Sequence, residues 1–129
     1  RKTRYGWGSA ASPALHGDRL FLVDDNDERS EVRAIDAASG KDLWRRERDE
    51  KSNWATPFVW KHRARTELVT SGTGAVRAYD PRDGRLLWWL RGMSSIAIPT
   101  PVAGAGLLFV SSGYVGDRLR PLYALRPGG

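Results

Sequence analysis

The acidic stretch from Asp24 to Arg29 (DDNDER) is the first place where the side chains suggest a bound metal ion. Carboxylate and amide oxygens at alternating positions are the ligands of calcium loops, which also require a glycine at the sixth position and a glutamate at the twelfth. Counted from Asp24, those positions hold Arg29 and Ile35. The stretch is therefore predicted to be a solvated loop between two strands.

Other residues that could do chemistry lack the spacing that the chemistry needs. His16 and His62 are isolated in the sequence, whereas zinc sites place paired histidines a few residues apart. The glycines of GAGLLF, from Gly104, lead into a strand and not into a helix N-terminus that could hold a phosphate. The sequence contains no Gly-x-Ser-x-Gly elbow and no cysteine. We therefore predict no catalytic residue, no metal site and no bound cofactor.

Arginine dominates the charge of the 129-residue chain, which has a formal net charge of +6 and a sequence pI of about 10.2. A basic protein can bind nucleic acid through clustered cations. Here the 17 arginines are spread along the chain among Asp and Glu, and no nucleic-acid-binding motif accompanies them. No apolar run approaches the roughly 20 residues of a membrane helix. We predict neither nucleic-acid binding nor membrane insertion.

A repeat of 44 residues organises the sequence. The dipeptides Ser12-Pro13, Thr56-Pro57 and Thr100-Pro101 are spaced by this interval, and periods of this length indicate a repeat architecture. The units are about 12–55, 56–99 and 100–129. Pro13 lies as far from Trp44 as Pro57 lies from Trp88, which predicts that no insertion or deletion separates the first two units.

Each unit contains several short runs that are typical of strands. A short proline-initiated piece is followed by RLFLV, TELVT or LLFVS, then by EVRAID, AVRAYD or PLYAL. The first two units add a fourth run, KDLWRRE or RLLWWLR. No helical period occurs, so the pattern predicts antiparallel all-β blades with no α-helix beyond a turn. In the third unit, Ala124 lies 46 positions after Ala78, which predicts a two-residue insertion near GYVGDRLR.

The turn between the last two strands carries a longer motif. The stretches AIDAASGKDLW and AYDPRDGRLLW both resemble AxDxxTGxxxW, the tryptophan-docking motif of the PQQ-like (quinoprotein dehydrogenase type) β-propeller repeat, with Ser39 and Asp83 in the Thr position. The other motif residues are Ala34, Asp36, Gly40 and Trp44 in the first copy and Ala78, Asp80, Gly84 and Trp88 in the second. The third unit has Arg126 where Asp is expected, so it is interpreted as a degenerate copy.

The residue types of the motif fit a role in joining blades. Glycine adopts positive φ at a tight turn with little strain, and aspartate can accept hydrogen bonds from the turn backbone. A small alanine leaves room for a large ring, and an indole buried between blades supplies a large apolar area. We expect Trp44→Ala and Trp88→Ala each to cost about 3–5 kcal/mol of stability.

In the PQQ-like family, the segments before each strand-opening proline reach one face of the ring near its central axis, where quinoproteins hold PQQ and a metal ion. By this resemblance, Trp7, Asn53 and Trp54 are candidates for a partner or ligand face. The alternative is that Trp54 only fills space, because the equivalent residues are Ala10 and Ile98.

The resemblance implies that the chain supplies about three blades of a β-propeller. Rings close with four to eight blades, so we expect further blades from the same or other chains. The favoured function is a non-enzymatic, exported scaffold or sensor module, periplasmic or extracellular, that binds protein partners through one face. The alternative is a fragment of a PQQ- and calcium-dependent alcohol or sugar dehydrogenase. Those enzymes often have a vicinal cysteine pair beside the cofactor, and this sequence has no cysteine.

Overall fold

The computed structural model describes residues 2–128, which form three antiparallel sheets. The only helix among these residues is a single 3-10 turn, Arg4–Gly6. Blade 1 consists of β1 (Ala14–His16), β2 (Arg19–Asp24), β3 (Ser30–Asp36) and β4 (Asp42–Arg48). Blade 2 consists of β5 (Phe58–Lys61), β6 (Thr66–Ser71), β7 (Ala75–Tyr79) and β8 (Leu86–Arg91). Blade 3 consists of β9 (Val102–Gly104), β10 (Leu107–Ser111) and β11 (Leu122–Leu125). The predicted all-β class is confirmed.

The hydrophobic core lies between the blades. Strands pair in chain order within each sheet, and successive residues of a strand point to opposite faces. On β6, Leu68 therefore packs in the cluster shared with blade 1, whereas Val69 packs in the cluster that includes Leu108 and Val110 of blade 3. Blade 2 is thus covered on both faces, which is the packing that a stack of blades requires.

The strand register corrects the prediction that blades 1 and 2 have no insertion or deletion. Phe21 pairs with Ala34, but at the equivalent place Val69 pairs with Ala78. Counted between equivalent paired residues, the β2–β3 hairpin is therefore four residues longer than the β6–β7 hairpin, and the β5–β6 hairpin is four residues longer than the β1–β2 hairpin. The two changes cancel, so the spacing from proline to tryptophan stays equal.

The two extra residues of blade 3 are where the sequence predicts them. Phe109 pairs with both Val102 and Ala124, so the first hairpin has the register of blade 1 and the added length lies in the β10–β11 loop. That loop contains GYVGDRLR. The insertion prediction is confirmed.

Candidate functional site

The segments that connect consecutive blades meet at one end of the sheets. The strands alternate in direction, so β2, β4, β6 and β8 all end on the side where the connecting segments run. We call this side the linker face. It also carries the β2–β3 loop and the β10–β11 loop, the latter being the longest hairpin connection among residues 2–128.

The residues that precede blade 1 cross the linker face and bind to the other two connecting segments. The Arg4 backbone N–H donates to Oγ of Ser52 at 2.9 Å, and its guanidinium donates to the Ser95 carbonyl at 3.1 Å. The Asp27 N–H donates to the Lys2 carbonyl at 2.9 Å. These bonds fix the N-terminal segment over all three blades.

Four aromatic rings from three parts of the chain come together on this face. Trp7 lies 5.3 Å from Trp54, 5.0 Å from Tyr5 and 5.5 Å from Tyr114, measured between ring centroids. The tilted arrangement of the rings is favourable for aromatic pairs. We call Tyr5, Trp7, Trp54 and Tyr114 the aromatic patch.

Within the aromatic patch, Trp54 is buried and hydrogen-bonded, whereas Trp7 and Tyr5 are exposed. Trp54 is only 9% exposed, its indole N–H donates to the Gly8 carbonyl at 2.9 Å, and its backbone N–H donates to Ala97 at 2.8 Å. Trp7 and Tyr5 are 49% and 71% exposed. A half-exposed ring on a buried, hydrogen-bonded one is suited to a contact with another molecule.

Asp117 shapes the loop that contributes Tyr114. Its carboxylate accepts hydrogen bonds from the Ser95 hydroxyl at 2.5 Å and from the Tyr114 N–H at 3.0 Å. These contacts, the Ser95 bond above all, lower the pKa of Asp117, so the carboxylate stays ionised. The loop of blade 3 is thereby tied to the segment that connects it with blade 2.

The structure brings together two of the three predicted face residues. Trp7 and Trp54 are in contact, but Asn53 is only 5% exposed, and its amide donates to Asp25 at 2.6 Å. Tyr5 and Tyr114 carry no repeat signal in the sequence, because they belong to an N-terminal segment and to the loop with the insertion.

A buried ion pair between Asp25 and Arg48 lies next to Asn53, the residue that precedes Trp54. Arg48 Nε and Nη2 donate to the two Asp25 oxygens at 2.8 and 2.9 Å, and Nη1 donates to Thr70 at 2.5 Å and Tyr79 at 3.2 Å. Burial by itself opposes the charged guanidinium, but the Asp25 carboxylate and Tyr79 outweigh burial and raise the pKa of Arg48. Arg48 on β4 thus links the β2–β3 loop of blade 1 to Thr70 and Tyr79 of blade 2.

A second ion pair, between Glu50 and Arg77, lies in the same interface. The Glu50 side chain is packed against Gly72, where an added Cβ would overlap the carboxylate. Burial lowers the pKa of Arg77, and the nearby Arg48 charge adds to this effect. Both acidic side chains are therefore neutralised by arginines of the protein itself.

The Asp25 carboxylate faces Arg48 and Asn53, and Arg48 directs its donors to protein atoms. Within residues 2–128, no group of three or more His, Cys, Asp or Glu side chains is placed to hold a metal ion.

The docking motif places Trp44 of blade 1 against the motif turn of blade 2, Asp80–Gly84. The Trp44 indole N–H donates to the Pro81 carbonyl at 3.0 Å, and the ring lies where a Cβ on Gly84 would be, 2.6 Å from Cε3. Arg19 donates to the Pro81 and Arg82 carbonyls at 3.0 and 2.8 Å. Ala34 and Ala78, each directly paired with the motif tryptophan, are fully buried.

The two motif turns have the same backbone. Gly40 and Gly84 both have φ of 72° and donate to the carbonyls of Asp36 and Asp80 at 2.8 Å. The Asp36 carboxylate accepts the Ser39 N–H at 2.7 Å and its hydroxyl at 2.6 Å. Hydrogen bonds from Ser39 lower the pKa of Asp36, and the side-chain hydrogen bond from Arg82 lowers the pKa of Asp80 to about 2.

Trp88 has a different partner from Trp44. Its indole N–H donates to Oε2 of Glu67 on β6 of the same blade at 2.6 Å. The other Glu67 oxygen accepts from Arg65 Nε at 2.6 Å and lies 3.1 Å from His62 Nε2. The residues His62 and Arg65 belong to the lengthened β5–β6 connection.

A family model described as outer membrane protein assembly factor BamB matches residues 28–125. No curated protein sequence matches the chain. The structure of quinohemoprotein alcohol dehydrogenase from Comamonas testosteroni superposes with a TM-score of 0.71 at 19% identity, over 95% of this chain and 19% of that protein. Quinohemoprotein alcohol dehydrogenase ADHIIG from Pseudomonas putida HK5 gives 0.67 at 19% identity, over 82% of this chain and 17% of that protein.

BamB from Moraxella catarrhalis gives a TM-score of 0.63 at 17% identity, over 78% of this chain and 33% of that protein. The chain thus spans a third or less of the length of these three similar structures. At such identities the likeness shows the fold, which is a part of a β-propeller. Among residues 2–128, no helix is long and apolar enough to cross a membrane.

Proposed function

The chain belongs to the PQQ-like repeat family whose model is described as outer membrane protein assembly factor BamB, and we propose that it is part of a non-enzymatic scaffold or sensor propeller that binds a protein partner through the linker face. The aromatic patch is the observation that carries this proposal. Tryptophan and tyrosine are over-represented among the residues that dominate binding energy at protein interfaces.

The build of the patch supports a binding role. Trp7 is half exposed, but the residues around it are tied down by the bonds of Arg4 to Ser52 and Ser95 and of Trp54 to Gly8. A preorganised anchor loses little conformational entropy on binding. The patch therefore gains more affinity per buried ring than a mobile loop would.

We also propose an exported, periplasmic or extracellular location. An outer membrane assembly factor, as the family model is described, works outside the cytoplasm. The absence of cysteine is compatible with such a compartment. Cell fractionation of the full-length protein, with a cytoplasmic enzyme as marker, checks this point.

Site-directed photo-crosslinking in cells tests the partner face. A benzoylphenylalanine in place of Tyr5 is expected to give a discrete crosslinked protein, and Trp7→Ala in the same chain is expected to remove most of it. Trp89 is the control position, because it is an exposed aromatic residue (53%, against 71% for Tyr5) on the last strand of blade 2, β8. Equal crosslinking from positions 5 and 89 would contradict the proposal.

The alternative function is a PQQ- and calcium-dependent alcohol or sugar dehydrogenase. The observation in its favour is the superposition on two quinohemoprotein alcohol dehydrogenases, over 95% and 82% of this chain. The full-length protein with added PQQ, calcium and a primary alcohol is expected to give no dye reduction. Turnover that requires both additions would replace the scaffold proposal by this one.

A further inference from the structure

A cleft of about 910 Å³ opens between blades 2 and 3, at the opposite end of the strands from the linker face. The β5–β6 connection forms one wall, and the β9–β10 hairpin with residues 126–128 forms the other. Its volume is within the range of small-molecule sites. We call it the hairpin cleft.

The ionisable side chains that line the hairpin cleft are all basic. Lys61, Arg63 and Arg126 line it together with His62, and none of its lining residues is acidic. The equivalent cleft between blades 1 and 2 is lined by arginines too, but Asp18 and Asp80 lie among them. The potential in the hairpin cleft is therefore positive, and low-dielectric walls strengthen such a potential.

The cations of the hairpin cleft have no acidic partner in the described chain. Lys61 and Arg63 are exposed, and neither they nor Arg126 form a salt bridge among residues 2–128. Their neighbour Arg65 is different, because it binds the buried carboxylate of Glu67 at 2.6 Å. The cleft lining thus combines these three cations with apolar side chains that include Trp60 and Leu107.

We propose that the hairpin cleft binds an anionic ligand that carries at least two oxyanion groups, carboxylate or phosphate. Cations stand on both walls, Arg63 on blade 2 and Arg126 on blade 3, so a ligand with separated oxyanions can engage both. Guanidinium groups bind carboxylate and phosphate through paired hydrogen bonds. This site is independent of the partner face proposed above.

Isothermal titration calorimetry of the full-length protein at low ionic strength tests the site, with citrate and pyrophosphate as the two probes. Arg63→Gln and Arg126→Gln are each expected to weaken binding about tenfold, because each removes a charge-assisted contact. Arg118→Gln is the matched control, since Arg118 is exposed and lies outside the cleft lining. It is expected to leave the affinity within about twofold.

The probe that binds more tightly identifies the oxyanion as carboxylate or phosphate. Circular dichroism and the unfolding midpoint of each variant show that the fold is retained. Binding of neither probe by the wild type would overturn the proposal. Equal weakening by Arg118→Gln would also overturn it, because it would show attraction to the net positive charge of the chain and not a defined site.

Discussion

Trp44 and Trp88 hold the same motif position in consecutive blades, but their indole N–H groups donate in different directions. Trp44 donates across the blade interface to the Pro81 carbonyl. Trp88 donates within its own blade to the Glu67 carboxylate. One tryptophan thus joins two blades through a directed bond, and the other is held by its own blade.

The residue beside each tryptophan on the second strand differs between the two blades, and we expect it to set the direction of the indole hydrogen bond. Arg19 and Glu67 are equivalent in register, because each lies two positions before the residue that pairs with the motif alanine. The Arg19 guanidinium cannot accept a hydrogen bond, and it binds the same Pro81 carbonyl as Trp44. The Glu67 carboxylate is a strong acceptor and takes the N–H of Trp88.

The residue two positions after the motif tryptophan also differs between the two blades. Arg46 of blade 1 donates to the carbonyls of Gly84 and Asp83 at 3.2 and 2.9 Å, while the residue at the equivalent place in blade 2 is the apolar Leu90. Blade 1 therefore contacts the next motif turn with three donor side chains, those of Arg19, Trp44 and Arg46. The same motif tryptophan thus has a different hydrogen-bond acceptor in each blade, and the residues around the motif differ with it.

Replacing either motif tryptophan should cause the largest loss of stability among the variants proposed here, and the loss should be greater for Trp44 than for Trp88. We expect Trp44→Ala to lower the free energy of unfolding by about 3–5 kcal/mol, and Trp88→Ala to fall at the lower end of that range. Trp44 is 8% exposed and bonded across the interface, whereas Trp88 is only partly buried. Urea denaturation checks the order, and a larger loss for Trp88→Ala would break the comparison.

The motif glycines offer a sharper test of the contact between Trp44 and blade 2. Gly40 and Gly84 share φ of 72°, but a Cβ on Gly40 meets open space, while one on Gly84 would meet the Trp44 ring at 2.6 Å. Gly40→Ala should cost about 1–2 kcal/mol, which is the strain of the left-handed backbone.

Gly84→Ala should cost about 1–2 kcal/mol more than Gly40→Ala, because the indole must also move. Gly40→Ala is thus the control for backbone strain. Thermal unfolding of both variants in the Trp44→Ala background completes the test, since there the excess cost should disappear. A persistent excess would mean that the ring contact is not its cause.

The repeat made the blades predictable, because strand period, turn residues and motif all indicate the same four-stranded unit. The position of the insertion in blade 3 was also readable, from the extra spacing before Ala124. The two opposite changes of hairpin length between blades 1 and 2 could not be read from the sequence. They cancel, so the spacing from proline to tryptophan is the same in both blades.

These two changes of hairpin length supply the residues that form the polar contacts around Arg48 and Glu67. The longer β2–β3 hairpin supplies Asp25, which accepts hydrogen bonds from the buried Arg48. The longer β5–β6 connection supplies His62 and Arg65, which bind Glu67. These partners are distant from one another in the sequence or displaced from the repeat, so a periodic pattern could not identify them. Tyr5 and Tyr114 were missed for the same reason.

Acid unfolding should distinguish the two motif aspartates. The pKa of Asp80 is about 2, against an ordinary value of 3.8, so its carboxylate stabilises the fold fully above the ordinary pKa and loses that effect as the pH falls through about 2. Asp80→Asn should therefore cost about 2 kcal/mol at neutral pH and almost nothing near pH 2.

Asp36→Asn is the control for this pH dependence. The Asp36 carboxylate accepts hydrogen bonds chiefly from Ser39, and no arginine is among the groups that lower its pKa. We expect a shallower change of unfolding free energy with pH than for Asp80→Asn. Equal slopes for the two variants would show that Arg82 adds nothing to the turn of blade 2.

The smallest expected effect concerns Arg19, and it addresses the cause of the contrast between the tryptophans. Arg19→Gln keeps a donor but loses the charge and the reach to both the Pro81 and Arg82 carbonyls. Because the side chain is partly exposed, the cost should be about 1 kcal/mol. The Trp44 indole N–H should stay protected from hydrogen exchange, since Pro81 can still accept it.

Arg19→Glu, in contrast, places at this position the carboxylate that Glu67 provides in blade 2, and we expect it to draw the Trp44 N–H away from Pro81. A large change of the indole proton shift in Arg19→Glu, with little change in Arg19→Gln, would establish that the charge of this one neighbour sets the direction of the tryptophan bond. Equal shifts in the two variants would instead assign the difference between the blades to the turn itself.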